Sequence, residues 1–123
     1  MKIEHAALYV KNLNGARDFF VKYFGAVSGE IYRNSATGFS SYFLTFDEGA
    51  RLEIMNRPDL SESPPMSLGY SHVAFSVGDK SCVDALAERL AADGWQISPP
   101  RTTGDGYYEA VVMLEGSIIE ITE

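Results

Sequence analysis

Each of the two histidines in this chain precedes a glutamate by the same distance: His5 and Glu53 are 48 residues apart, and so are His72 and Glu120. The second pair lies 67 positions after the first. The neighbouring residues keep the step. His5-Ala6-Ala7-Leu8-Tyr9-Val10 parallels His72-Val73-Ala74-Phe75-Ser76-Val77, and Arg51-Leu52-Glu53-Ile54-Met55 parallels Ile118-Ile119-Glu120-Ile121-Thr122. Glu48-Gly49 returns as Glu115-Gly116. Two neutral imidazoles and two carboxylates form a donor set that balances one divalent ion and leaves room for waters. Such a set suits Ni²⁺, Zn²⁺ or Co²⁺. Two exchangeable positions would let a substrate chelate through two oxygens, as Lewis-acid chemistry requires.

A plainer reading stands beside this one. A lone strand histidine is usually a hydrogen-bonded structural residue, and Glu53 or Glu120 could pair with Arg51 or Arg17. An internal duplication explains equal spacing without any metal. The joint pattern favours metal, because a carboxylate between apolar strand neighbours needs a partner.

The elements that position these residues follow from periodicity. Residues 2–10 read as a strand, and Asn12 or Asn14 can cap a following helix. Ala16, Phe19, Phe20, Tyr23 and Phe24 make its apolar stripe, and Gly25 stops it. Residues 27–33 read as a short strand; 39–47 and 50–56 form a hairpin through Glu48-Gly49. The second half repeats the order: strand 70–77, a helix from Asp79 with the stripe Val83, Leu86, Ala87, Leu90 and Ala91, a stop at Gly94, a short strand near Trp95–Ile97, and strands 107–114 and 117–122. Each half is therefore βαβββ. The expected organisation is one domain over 1–123, built from modules 1–56 and 70–123 with a proline-bearing linker at 57–69. Period-2 alternation puts Ala6, Leu8, Leu52 and Ile54 under the helix and His5, Tyr9 and Glu53 on the other face. His72 and Glu120 share the corresponding face of the second half.

Composition narrows the function. A length of 123 residues fits one compact domain. The net charge of −7 argues against nucleic acid, whose phosphates demand clustered Lys and Arg. No apolar run approaches the roughly 20 residues of a membrane span, and the first residues do not resemble a signal peptide. A cytoplasmic location, no membrane partner and no nucleic-acid partner are the expectations. Cys82 stands alone and cannot form an internal disulfide.

The spacing of His5, Glu53, His72 and Glu120, the paired βαβββ modules and the helix end Phe19-Phe20…Tyr23-Phe24-Gly25 resemble the vicinal oxygen chelate (glyoxalase/bleomycin resistance/dioxygenase) superfamily. Within it the chain looks like short bacterial glyoxalase I (lactoylglutathione lyase). The resemblance implies an α+β fold whose curled mixed sheet surrounds a metal cleft. It implies one divalent metal per chain, Ni²⁺ or Zn²⁺ with Co²⁺ as an alternative. It also implies a homodimer with metal sites shared between chains. The implied function is isomerisation of a hemithioacetal, formed from a 2-oxoaldehyde and a thiol, through an enediolate. Glu120 would be the base, with Glu53 serving the opposite face. The alternatives are an epimerase or other-thiol lyase of the same superfamily, or a non-catalytic small-molecule binding (resistance) protein.

Three departures accompany the resemblance. Such enzymes usually carry an arginine four residues after the first histidine, where this chain has Tyr9. They carry an asparagine four residues after the first glutamate; here Asn56 is three after Glu53 and Arg57 four after. An Asp-Pro-Asp-Gly turn is replaced by Leu114-Glu115-Gly116-Ser117. The ligand set survives these changes, and the thiol is left open. Tyr9, Asn56, Arg57, Arg101 and Tyr107 are the candidate substrate contacts. Tyr108 is a further hydrogen-bond candidate in the glycine-rich segment 102–109, and Arg33 a candidate anchor by charge.

Overall fold

In a computed structural model that describes residues 1–62 and 68–123, the chain divides into two compact units, Met1–Pro64 and Pro65–Glu123. The expected linker 57–69 lies partly outside the described residues. The first unit runs β1 (His5–Tyr9), α1 (Leu13–Phe24), β2 (Val27–Ser28), β3 (Tyr32–Asn34), β4 (Phe39–Thr45) and β5 (Arg51–Asn56). The second runs β6 (His72–Ser76), α2 (Lys80–Ala92), β7 (Arg101–Thr102), β8 (Tyr108–Leu114) and β9 (Ser117–Thr122).

Each unit is a mixed sheet with one helix on one face. The first has the order β1-β5-β4-β2, with β3 also paired to β4; the second has the order β6-β9-β8-β7. In each, the first strand lies parallel to the last, and the last is antiparallel to its hairpin partner. The α+β expectation of two repeated modules with mixed sheets is met.

Side-chain alternation builds both cores. Leu44, Leu52 and Ile54 bury against Ala16, Phe19 and Phe20 of α1 in the first unit; Ala110, Val112, Ile119 and Ile121 bury with Val83, Ala87 and Leu90 of α2 in the second. The helices start where capping residues allow. Asn12 accepts the Gly15 N–H at 2.9 Å, and Asp79 accepts the Cys82 N–H at 3.0 Å. Gly25 ends α1 at φ 64°, the left-handed region that glycine enters without a Cβ clash. The β8–β9 turn has Glu115 at φ 49° and Gly116 at φ 88°, two positive values that match a two-residue hairpin turn to strand twist.

The short strands differ from expectation in one shared way. Segment 27–33 is not one strand. Ser28 pairs with Leu44 and Tyr32 with Ser41, so residues 29–31 face only 42–43. That extra residue is a bulge, which reverses the facing of everything after it. The second unit repeats it. Ile97 bridges Val112 alone, and pairing resumes at Arg101–Glu109, so 98–100 face only 110–111. The strand expected near Trp95–Ile97 is thus a single bridge, and the paired strand starts at Arg101. Pro99 and Pro100 lack the N–H groups a continuous ladder would need. Both bulges are closed by the same bond: Gly29 N–H donates to the Phe43 carbonyl at 2.9 Å, and Ser98 N–H to the Val111 carbonyl at 2.8 Å. Among the described residues no helix is long and apolar enough to cross a membrane.

Candidate metal half-sites

The parallel strand pairs put a histidine and a glutamate on one face in identical register. Ala7 opposes Glu53, and His5 lies two residues before Ala7. Ala74 opposes Glu120, and His72 lies two residues before Ala74. Two residues along a strand return to the same face, so each unit carries a His/Glu pair on the sheet face away from its helix. The neighbours of each glutamate on its own strand, Leu52 and Ile54 or Ile119 and Ile121, are buried on the opposite side.

The two imidazoles are held alike. His5 Nδ1 lies 2.5 Å from Glu4 Oε2. Glu4 also receives the Arg51 guanidinium, with Nε at 2.8 Å. Arg51 stacks over Phe43 at 4.2 Å, and the His5 ring meets the same phenyl edge-on at 5.3 Å. The His5 contact, then Arg51, hold the Glu4 carboxyl below its ordinary range. His72 Nδ1 lies 3.3 Å from Ser71 Oγ. In both units the residue before the histidine engages Nδ1 and leaves Nε2 for another partner. That is how metal-binding imidazoles are usually oriented, with the second nitrogen on a carboxylate or other oxygen.

In the second unit His72 Nε2 is 3.5 Å from Glu120 Oε2. Two donors on one ion at bond lengths of about 2.0–2.2 Å sit roughly 3.0–3.5 Å apart, so this pair needs only a small adjustment to share an ion. The donor chemistry and imidazole orientation fit a divalent metal. Among the described residues, no group of three or more His, Cys, Asp or Glu side chains within the chain is arranged to hold one. Each unit carries one such His/Glu pair.

Glu120 has acidic company. Val111 opposes Glu120 and Glu109 opposes Thr122, which makes Glu109 a diagonal neighbour of Glu120 on the same face. Burial pushes the Glu120 carboxyl up; the Glu109 carboxylate adds to this, His72 opposes it, and Asp105 contributes from the loop before β8. Glu109 was not among the residues singled out from the sequence. Its signal was there: it stands two residues before Val111 in an alternating strand. Recognising it required the cross-strand register.

The other candidates divide by face. Tyr9 stands exposed on the His5 face, and its hydroxyl interacts with Arg57. Arg57 also forms a two-pronged pair with Asp59, Nη2 to Oδ2 at 2.8 Å. Asn56 lies on the opposite face and donates its amide to the Val10 and Lys11 carbonyls at 2.7 and 3.1 Å, tying β5 to the entry of α1. Arg101 opposes Glu109, with Nη2 at 3.5 Å from Oε1. Tyr107 is exposed just before β8, its carbonyl accepting the Thr103 N–H at 2.8 Å. Tyr108 faces α2 and donates to Asp84 at 2.6 Å. The bulge turns Arg33, opposite Ser40, to the helix-side face.

A sequence model of the Glyoxalase/Bleomycin resistance protein/Dioxygenase superfamily matches residues 2–115. No curated protein matches the chain. A glyoxalase family protein from Enterococcus faecalis is similar in structure, with TM-score 0.83 and 23% identity, covering 99% of this chain and 97% of that one. Glyoxalase I from Zea mays matches at TM-score 0.80 and 20% identity, over 98% of this chain and 44% of the maize chain. The trypanothione-dependent glyoxalase I of Leishmania major matches at TM-score 0.78 and 19% identity, over 100% and 86%. At these identities the likeness is one of fold.

Proposed function

We propose a function on one premise: the chain belongs to the Glyoxalase/Bleomycin resistance protein/Dioxygenase superfamily. Within it, we assign the chain as a metal-dependent lyase of the glyoxalase I kind, converting a 2-oxoaldehyde–thiol hemithioacetal into a 2-hydroxy thioester. The observation that carries this reading is the identical register of the two His/Glu pairs, each imidazole held through Nδ1.

His5, Glu53, His72 and Glu120 would hold one divalent ion, Ni²⁺ or Zn²⁺, with His5 and Glu53 from one copy and His72 and Glu120 from another. When bound, that ion supplies a Lewis acid for two adjacent substrate oxygens. Glu120 takes the proton from the carbon bearing sulfur, and the electron pair left behind moves toward the carbonyl. Glu120 then returns a proton to the former carbonyl carbon, the hydroxyl proton passes to the former carbonyl oxygen, and the thioester carbonyl forms where the hydroxyl had been. Atoms balance with no outside oxidant or reductant. Glu53 serves the opposite face. The apolar Phe43, Met55, Val111 and Ile118 share these faces and would limit access of water to the reacting carbons.

The test is elemental analysis of purified protein, then turnover of methylglyoxal–thiol adducts after reconstitution with Ni²⁺ or Zn²⁺. Thioester formation that depends on the added metal is expected. Metal binding without turnover of any such adduct would move the chain to an epimerase, and ligand binding with neither metal nor turnover to a sequestering protein.

A further inference from the structure

Among the described residues, every cation that the strands carry on the ligand-bearing faces, or just after them, has a carboxylate partner. Arg51 is paired with Glu4, Arg57 with Asp59 and Arg101 with Glu109; Lys11, just past β1, lies 2.6 Å from Glu62. With Glu53 and Glu120 set against the dication, Asp105, which accepts from the Thr103 hydroxyl, leaves negative charge in excess there. Glu109 and Glu120 are mostly buried, with side-chain exposures of 12% and 16%, and Arg101 is their charged neighbour at 70% exposure. Asp105 adds a third carboxylate close enough to bear on Glu120. Among the described residues the first unit has no counterpart of this wall: at the equivalent bulge position, Tyr32 opposes Ser41 where Arg101 opposes Glu109.

We infer that Glu109, with its Arg101 partner, sets substrate charge, and that the thiol part of the substrate is cationic or neutral rather than anionic. This rests on the glyoxalase I-like reading for the reaction, though not for the binding. A carboxylate-bearing thiol would have to break an existing ion pair or lie beside Glu109 and Asp105. An amine-bearing thiol would meet carboxylates already directed at the site. The effect is direct charge–charge interaction at short range in a partly dehydrated setting, where it is screened less than on the open surface.

The experiment uses full-length metal-loaded protein and three thiols of similar size: 2-(dimethylamino)ethanethiol, 2-methoxyethanethiol and 3-mercaptopropionate. Turnover of each methylglyoxal adduct gives kcat/KM, and calorimetric titration with each lactoyl thioester gives Kd without turnover. The expected order is cationic, neutral, anionic, with a spread between the extremes of about 10-fold or more that shrinks with salt. Glu109→Gln, which releases Arg101, should narrow the spread. Arg101→Gln, which leaves Glu109 unpaired, should widen it. A merely structural role for the pair would move all three substrates together. Equal or tighter binding of the anionic thioester by the unaltered protein overturns the inference. So do parallel shifts in both variants. If no adduct turns over, the reaction assignment fails, while the Kd order still decides the charge inference.

Discussion

Glu53 and Glu120 occupy equivalent registers but different surroundings. Glu120 has His72 at 3.5 Å and Glu109 beside it; Glu53 lies across from Phe43. Removing the charge of Glu120 while keeping its shape should therefore separate metal binding from proton transfer. Glu120→Gln is expected to retain metal and lose turnover by a factor on the order of 10²–10⁴. Elemental analysis and kcat/KM check both halves, and unchanged kcat/KM would pass the base role to Glu53. The contact of Glu4 on His5 gives a second prediction. Glu4→Ala should weaken metal affinity by about 10–100-fold, as loss of an imidazole's orienting partner does. Competition with a chromogenic chelator measures this, and an unaltered affinity would reduce Glu4 to a partner for Arg51. At this scale the four ligand candidates were legible because period 2 alone decides their faces. Glu4, Ser71 and Glu109 were not, since their roles arise from contacts with a ring nitrogen or an adjacent strand.

Most elements followed from local chemistry. Helices α1 and α2 showed their apolar stripes and capping residues, and the hairpins their Glu-Gly turns. The bulge at 29–31 left no such trace, and the one at 98–100 left only Pro99-Pro100, which interrupt a ladder without showing where pairing resumes. Each is an extra residue in a short edge segment, visible only once the partner strand is known, and each reverses facing. Arg33 thereby goes to the helix side, while Arg101 comes to the ligand face. The caps yield predictions at this scale. Asn12→Ala should lower unfolding free energy by about 1 kcal/mol, by leaving the Gly15 N–H without its side-chain acceptor. A denaturant midpoint unchanged from wild type would discount the cap. Asp79 supplies a pH dependence. Hydrogen bonds from the Ser81 hydroxyl, then the Cys82 N–H, hold its carboxyl below the ordinary value. A carboxyl lowered on folding stabilises above its unfolded pKa of about 3.9, and that contribution is lost as pH falls through the lower folded value. Thermal melts of wild type and Asp79→Asn should therefore converge as pH drops below about 4 and separate above it. A gap that stays constant from acid to neutral pH would mean the charge does not matter.

For the whole molecule, the question is what covers the face that carries each His/Glu pair. Ile3, Tyr9, His5, Ala7, His72 and Ala74 stand exposed on or beside these faces, among half-buried Phe43, Met55, Val111, Met113 and Ile118. A patch of this kind, carried in duplicate, suits a two-fold pairing in which each copy presents both halves to the other. The expected assembly is a homodimer burying more than roughly 2,000 Å² in total, with mass twice that of one 13.5 kDa chain. Each site would take His5 and Glu53 from one copy and His72 and Glu120 from the other. Mixing inactive variants tests that arrangement independently of mass. A His5→Ala chain paired with a His72→Ala chain would contain one site with neither histidine and one with both. Random assortment on co-expression makes half the dimers mixed, each with one intact site of two, so about a quarter of wild-type activity should return. If all four ligands of a site came from a single chain, every chain in the mixture would carry a defective site. Activity would then stay at the level of the separate variants, however well the dimer formed.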